Sequence, residues 1–305
     1  MRIVESVPNF SEGRRPEVIA SIMEEVRRAG TARILDLSSD ADHNRSVLTL
    51  AGEPGAVRAA IEALVAACVR TIDLRSHQGH HPRMGAIDVV PLVPISGVTM
   101  QECVGLARDI GATIARSHDL PVFLYEEAAS APHRRDLAAV RKGEFEGFAA
   151  KIADPLWTPD FGPARVHPTA GCVAVGAREF LIAFNINLTT PDLEVANRVA
   201  RAIRHSSGGL RFVKAMGVML EGRHVAQVSI NMTDFRRTPL HRVFEMVRSE
   251  AARFGAGIAG SEIVGLVPQE ALLGVAGFYL RLENFDPDRV FERRLEQVGA
   301  APTRS

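Results

Sequence analysis

The sequence predicts an α+β protein (an α/β sandwich) of two ferredoxin-like-type lobes, each a mostly antiparallel sheet with helices on one face. Three observations carry this expectation. Short strand-like apolar runs alternate with amphipathic helical patterns. A βαββα-type order of elements occurs on both sides of a turn-rich stretch near residue 165, without a close sequence repeat. The 305 residues suffice for one large domain or two small ones. The expected division is 1–177 and 178–305, with a ligand in the crevice between the lobes. A single larger α/β domain is the alternative.

Ile3–Val7 reads as a strand and Asn9–Gly13 as a polar turn. A helix follows with Val18, Ile19, Ile22, Met23 and Val26 on one face. Arg33–Ser38 and Ser46–Ala51 read as strands joined by a polar segment. Glu53–Thr71 is a helix with Pro54 in its first turn, and Ile87–Pro94 a strand. Thr99 with Glu102 three residues on predicts a capping box for a helix reaching His118. Pro121–Tyr125 is then a strand. Between Ala131 and Thr158 the pattern weakens to one short helical stretch, and Asp160–Gly171 reads as a long ordered loop. Beyond it come a strand at Phe180–Leu188, a helix at Pro191–Arg204 and a hairpin of Phe212–Glu221 with His224–Met232. A helix at Pro239–Phe254, a strand at Glu262–Val267 and helices at Pro268–Leu282 and Asp288–Val298 complete the chain.

The composition is that of an ordinary globular protein, 46% hydrophobic, with a formal net charge of zero. That balance argues against a nucleic-acid partner. Lysine occurs only at positions 142, 151 and 214, and genome composition explains the arginine bias better than ligand chemistry. Cys68, Cys103 and Cys172 are odd in number and far apart, so no disulfide framework or zinc pattern is expected. With no signal-peptide pattern and no long apolar run, the expectation is a cytoplasmic protein without a membrane partner.

The segment His77-Gln78-Gly79-His80-His81-Pro82-Arg83-Met84-Gly85-Ala86-Ile87-Asp88 concentrates the candidate chemistry. Three imidazoles fall within five residues of a glycine- and proline-rich turn, where histidine can move protons near neutral pH. The spacing lacks the helical separation of a zinc protease, and solvated surface histidines are the bland alternative. Asn185 and Asn187 interrupt an apolar strand, and Asn9 follows the first strand. Such amides need a partner, whether a structural turn or a ligand. Arg45 could cap a hairpin or receive a carboxylate through its fork. No phosphate-binding glycine loop, dinucleotide fingerprint or serine-hydrolase elbow is present.

Five stretches then occur in order: Val7-Pro8-Asn9-Phe10-Ser11-Glu12-Gly13, His81–Asp88, Asp160-Phe161-Gly162-Pro163, Phe180–Leu188 and Gly265-Leu266-Val267-Pro268. Together they resemble the formiminotransferase domain family, the folate-dependent glutamate formimidoyltransferases of histidine degradation, in their stand-alone form. The likeness covers about residues 3 to 285. It implies two α/β subdomains, a folate groove between them and a homodimer. It also implies small-molecule partners only, N-formimino-L-glutamate and tetrahydrofolate, with no metal. On this resemblance His81 is the catalytic general base and acid. The folate-contacting loop is Gly162, Pro163, Ala164, Arg165, Val166, His167, Pro168, Thr169, Ala170 and Gly171. Asn9, Arg45, Arg83 and Asn185 are expected substrate contacts, the arginines for glutamate carboxylates. The loop is less aromatic than in vertebrate relatives, and Ser38 stands where they carry an acidic residue, with Asp40 and Asp42 nearby. Rival readings are a formyltransferase using N-formylglutamate, a non-catalytic folate-binding protein and a metallohydrolase built on the histidine cluster.

Overall fold

The computed structural model describes residues 1–79 and 82–299, which fall into two compact units, one through Glu179 and one from Phe180. The first contains β1 (Ile3–Ser6), β2 (Asn9–Phe10), α1 (Pro16–Arg28), β3 (Arg33–Asp40), β4 (Arg45–Gly52) and α2 (Pro54–Thr71). These are followed by β5 (Ile87–Ser96), α3 (Met100–His118), β6 (Val122–Glu126), α4 (Leu137–Arg141), α5 (Glu144–Ile152) and β7 (Val173–Ala177). The second unit contains β8 (Ile182–Leu188), α6 (Leu193–Ile203), β9 (Val213–Leu220), β10 (Val225–Met232), α7 (Leu240–Ala252), β11 (Ile258–Val264), α8 (Gln269–Leu280) and α9 (Phe291–Gly299). The α+β class is as expected.

In the first unit β1 and β2 form one interrupted strand between β4 and β5, both antiparallel to it, and β3 extends the sheet beyond β4. Pro8 sits at the interruption, where it has no N–H to give, yet its carbonyl still accepts from Leu48 N at 3.0 Å. At the other end β7 runs parallel between β5 and β6. Along these strands the side chains alternate between two cores. Val90, Leu92, Val122, Leu124, Val173 and Val175 face the core of α1, α2 and α3. Val89, Phe123, Tyr125, Cys172 and Ala174 face a smaller core with Val140, Phe148 and Ile152 from α4 and α5.

Helices were expected on one face only, so α4 and α5 add a layer to this end of the sheet. Two contacts fix it. Lys151 donates to the carbonyls of Ala139, Val140 and Lys142, closing the end of α4. Arg134, 6% exposed, pairs with Asp160 at 2.9 Å and donates to the carbonyls of Leu156 and Thr158. The strand β7, buried at all five residues, was also not expected. A strand hidden on both faces has no polar alternation to announce it. The predicted capping box is present: Glu102 N donates to Thr99 Oγ1 at 3.2 Å and Thr99 N to Glu102 Oε2 at 2.8 Å.

The second unit is a four-stranded antiparallel sheet in the order β11-β8-β10-β9. Ile182, Phe184, Ile186 and Leu188 of β8 join Val228, Ile230 and Met232 of β10 under α6 and α7. Each such side chain, fully buried, contributes about 1.5–3 kcal/mol. The strand expected at Glu262–Val267 lies earlier, at Ile258–Val264, and stops at Gly265, whose φ is +76°. Among the described residues no helix is long and apolar enough to cross a membrane.

Candidate active site

In the first unit the sequence-flagged segments converge on the start of β5. Asn44 lies at their junction, at 8% exposure and with a left-handed φ of +49° in the β3–β4 hairpin. Its Oδ1 accepts from Gly13 N at 2.9 Å and its Nδ2 donates to the carbonyl of Gln78 at 2.9 Å. The Asn44 carbonyl is 2.8 Å from His77 Nε2. The N-terminal motif is fastened alongside, because Ser11 donates from N to the Ala86 carbonyl and from Oγ to the Gly85 carbonyl. Glu12, 3% exposed, accepts from Arg14 N, Arg15 N and Arg15 Nε. Burial would raise its pKa, but these bonds hold the carboxyl below the usual range.

His81, expected to carry the proton, lies outside the described residues, as does His80. The geometry on either side is well defined. Arg83 donates from Nε to His77 Nδ1 at 3.0 Å, so His77 accepts there and donates from Nε2 to Asn44. Burial, with Arg83 adding to it, pushes the His77 pKa down and favours this neutral tautomer. His77 is therefore a structural member of the histidine cluster.

The other edge of Arg83 forms a fork with Glu146 of α5, at 2.9 and 2.6 Å. Arg83 is 7% exposed, and every edge of its guanidinium has a protein partner. In this structure the Arg83 fork, expected to receive a substrate carboxylate, is closed on Glu146 and His77. Arg45 sits among charges of both signs. Burial and the neighbouring Arg141 lower its pKa, opposed by Asp88 and Asp40. Asp88, 2% exposed, accepts from Met84 N at 2.8 Å and Arg141 at 2.6 Å.

The loop expected to contact folate divides into two parts. Gly162 and Pro163 edge an open hollow of about 370 Å³ with Ala112, Ala115, Arg116 and Asp119. Ala164 and Arg165 are exposed, and Arg165 pairs with Asp119. Val166 packs against the α4–α5 core. His167 to Gly171, with exposed Pro168 at the tip, is a tight turn closed by reciprocal backbone bonds of 3.0 and 3.2 Å. His167 Nδ1 accepts from Ala170 N at 3.0 Å, and burial lowers its pKa, so Nε2 carries the proton.

This turn is zipped to the histidine segment: Ala86 N donates to the Ala170 carbonyl, Cys172 N to the Met84 carbonyl and Leu74 N to the Thr169 carbonyl, all at 2.8–2.9 Å. Two glycines permit the approach. A Cβ on Gly85 would lie 1.9 Å from the Cys172 carbonyl oxygen, and one on Gly171, at φ +70°, 2.1 Å from the Met84 oxygen.

Asn9, half-buried on β2, donates to the Val7 carbonyl at 3.0 Å, a local turn. Asn185 belongs to the second unit, where it bonds Glu262 at 3.2 Å. Sequence reasoning missed Glu146, Arg141 and Glu262 as partners of the flagged residues. The first two fall in the stretch where patterning is weak, and the third is joined only by strand register. Among the described residues no group of three or more His, Cys, Asp or Glu side chains could share a metal ion.

Comparison with known proteins agrees with these motifs. Residues 3–178 match the formiminotransferase domain, N-terminal subdomain, and residues 183–292 the formiminotransferase domain. A glutamate formimidoyltransferase of Streptococcus pyogenes serotype M1 is 48% identical over 93% of this chain and 95% of its own. One from Thermoplasma acidophilum is 44% identical over 98% of this chain and 99% of its own. A formimidoyltransferase-cyclodeaminase of Dictyostelium discoideum is 42% identical over 98% of this chain and 57% of its own length. Matched in both subdomains and along nearly its whole length, the chain belongs to the formiminotransferase domain family.

Proposed function

We propose that this chain is a glutamate formimidoyltransferase, moving the formimino group of N-formimino-L-glutamate to N5 of tetrahydrofolate and releasing L-glutamate. The observation that carries the reading is the zipper between the His-Pro-Arg-Met-Gly segment and the Thr169–Gly171 turn. It joins Met84 and Ala86, which follow the residue proposed for proton transfer, to the turn that ends the loop proposed for folate.

N5 attacks the amidine carbon, and the tetrahedral intermediate expels the glutamate nitrogen. One proton leaves N5 and one arrives at glutamate. A single imidazole serves both in turn, and His81 takes that role, worth about 10²–10⁴-fold. Arg83, tied to His77 and Glu146, holds the residues that follow His81. Arg45, beside Arg141, offers positive charge for a donor carboxylate. The family resemblance adds a homodimer to this reading, and the sequence pattern adds a cytoplasmic location.

The test follows folate product and released glutamate with purified protein, tetrahydrofolate and N-formimino-L-glutamate. His81→Ala lowers turnover at least about a hundredfold with little change in folate affinity. Near-normal turnover in that variant ends the His81 assignment. No turnover by the unaltered chain ends the proposed activity.

A further inference from the structure

The helix α8 is apolar without being covered. From Ala271 to Leu280 it carries no charged residue, yet Ala271 alone of its described residues is buried. Ala271 and Val275 pack on the core of the second unit. Leu272, Phe278, Tyr279 and Leu280 stay exposed, Leu280 at 68%, and Leu282 follows them in the same state. A helix this apolar belongs inside a larger body.

The exposed aromatic residues are nevertheless held in place. Phe278 stacks on His241 of α7, with ring centroids 4.2 Å apart and planes 8° from parallel. Tyr279 meets Phe278 edge-on at 5.1 Å and donates its hydroxyl to Glu245 at 2.7 Å. His241 Nδ1 is buried without a hydrogen-bond partner among the described residues, so stacking and not polar bonding sets this contact. Fixed aromatics lose little side-chain freedom when a partner covers them, which suits them as interface anchors.

A hollow of about 390 Å³ adjoins them, edged by Gly274 and Gly277 of α8 and by Leu282 and Phe285. A Cβ on either glycine would meet nothing within 4 Å, so the recess is open to a side chain from outside. Protrusions and a recess on one face are what a self-matching two-fold contact requires. The bordering charges are paired in opposite signs, Arg236 with Glu270 at 3.0 Å and Arg248 with Glu245. An identical face is therefore not repelled, and a polyanion finds no field to read. With about 150–250 Å² for a whole aromatic side chain, the exposed parts present several hundred Å². That is of the order of the roughly 800 Å² each partner buries in a standard interface.

We propose that the exposed face of α8, with the hollow beside it, is the contact surface between two copies of this chain. The proposal rests on the homodimer of the reading above and gives it a surface.

Sedimentation equilibrium is run on the unaltered chain, on Leu280→Lys and on Leu35→Lys, with far-UV circular dichroism and turnover measured alongside. Leu280 is exposed at the last position of α8, where a lysine suits the helix end, so the fold is kept. Leu35, exposed on β3 of the first unit, is the control. The unaltered chain is a dimer at micromolar concentration. L280K raises the dissociation constant about tenfold to a hundredfold, since a two-fold contact carries the change twice. L35K leaves it as it was, and both keep the circular dichroism of the unaltered chain.

A dimer as tight in L280K as in the unaltered chain overturns the proposal, as does an equal loss in L35K. A monomeric unaltered chain also overturns it and leaves the face to a partner of another kind. Dimers weakened by L280K alone, in a chain without turnover, support the surface and overturn only the transfer reaction.

Discussion

In the first unit several buried polar groups near β5 and β7 end on backbone, on a neighbouring side chain or on an opposite charge, although Arg141 Nε is buried without a hydrogen-bond partner. Asp88 takes Met84 N and Arg141, Asp160 takes Leu124 N and Arg134, and Arg83 closes on Glu146 and His77. In the second sheet Asn187, Gln227 and Glu262 bond one another, side chain to side chain. The second row sits on strands, whereas of the first group only Asp88 does, the rest coming from loops and helices; in either place an unpaired buried group is costly. The first spends its polar groups on holding loops in place. The second joins its polar groups to one another across strands.

The comparison can be broken at its support side first. Arg134→Ala leaves Asp160 buried without its cation and is expected to cost about 3–5 kcal/mol, read as a lower urea midpoint. A loss below about 1 kcal/mol would mean that the pair is not structural.

Glu5 is next. Burial lifts its carboxyl to about 7, opposed by Arg178. Its folded pKa lies above the unfolded value, so its favourable contribution is complete below about pH 4.5 and lost as pH rises through about 7. Glu5→Gln removes that dependence. It should stabilise the protein at pH 8 by up to about 3 kcal/mol and leave pH 4 unchanged, measured by thermal melts at both pH values.

Glu146→Ala opens the Arg83 fork. Turnover should fall by up to about a hundredfold, the scale of a displacement near 1 Å. Tetrahydrofolate affinity should stay as it was and Glu146→Asp should recover part of the loss. An unchanged kcat would remove Arg83 and Glu146 from the positioning of the turn. The smallest effect is at the α3 cap, where Thr99→Ala should cost about 1 kcal/mol in denaturant melts without touching kcat or KM.

The same contrast governs what the sequence reveals. The α3 cap is visible because Thr99 and Glu102 are three residues apart, and the polar breaks in β8 are visible because Asn185 and Asn187 interrupt an apolar run. The five residues of β7 are small, apolar and buried on both sides, so period-two alternation is absent. The two residues of β2 have the composition of a turn and become a strand only because β4 and β5 flank them. The short helices α4 and α5 carry too few turns for a clear helical period. At the site, His77–Asp88 and Asp160–Gly171 stand out locally through glycine, proline and histidine. The partnership of Arg83 with Glu146 spans 63 positions, and that of Gln227 with Glu262 spans 35. Such pairs are set by tertiary packing and leave no local signature.

The late position of β7 has a consequence for how the chain is made. Among the described residues the strand that joins β6 to the rest of the sheet is β7, yet β7 is synthesised last of all the strands in its unit. A ribosome that has released β6 has produced a strand with no edge to join. The Asp160–Gly171 loop lies between them in the sequence, and its turn is zipped to the histidine segment just before β7 begins. Docking β7 therefore completes the sheet and anchors the proposed folate loop in one event. A nascent chain ending short of Ala177 would expose β6 to chaperones and to other strands, so the proposed site becomes ordered only when its whole unit has emerged.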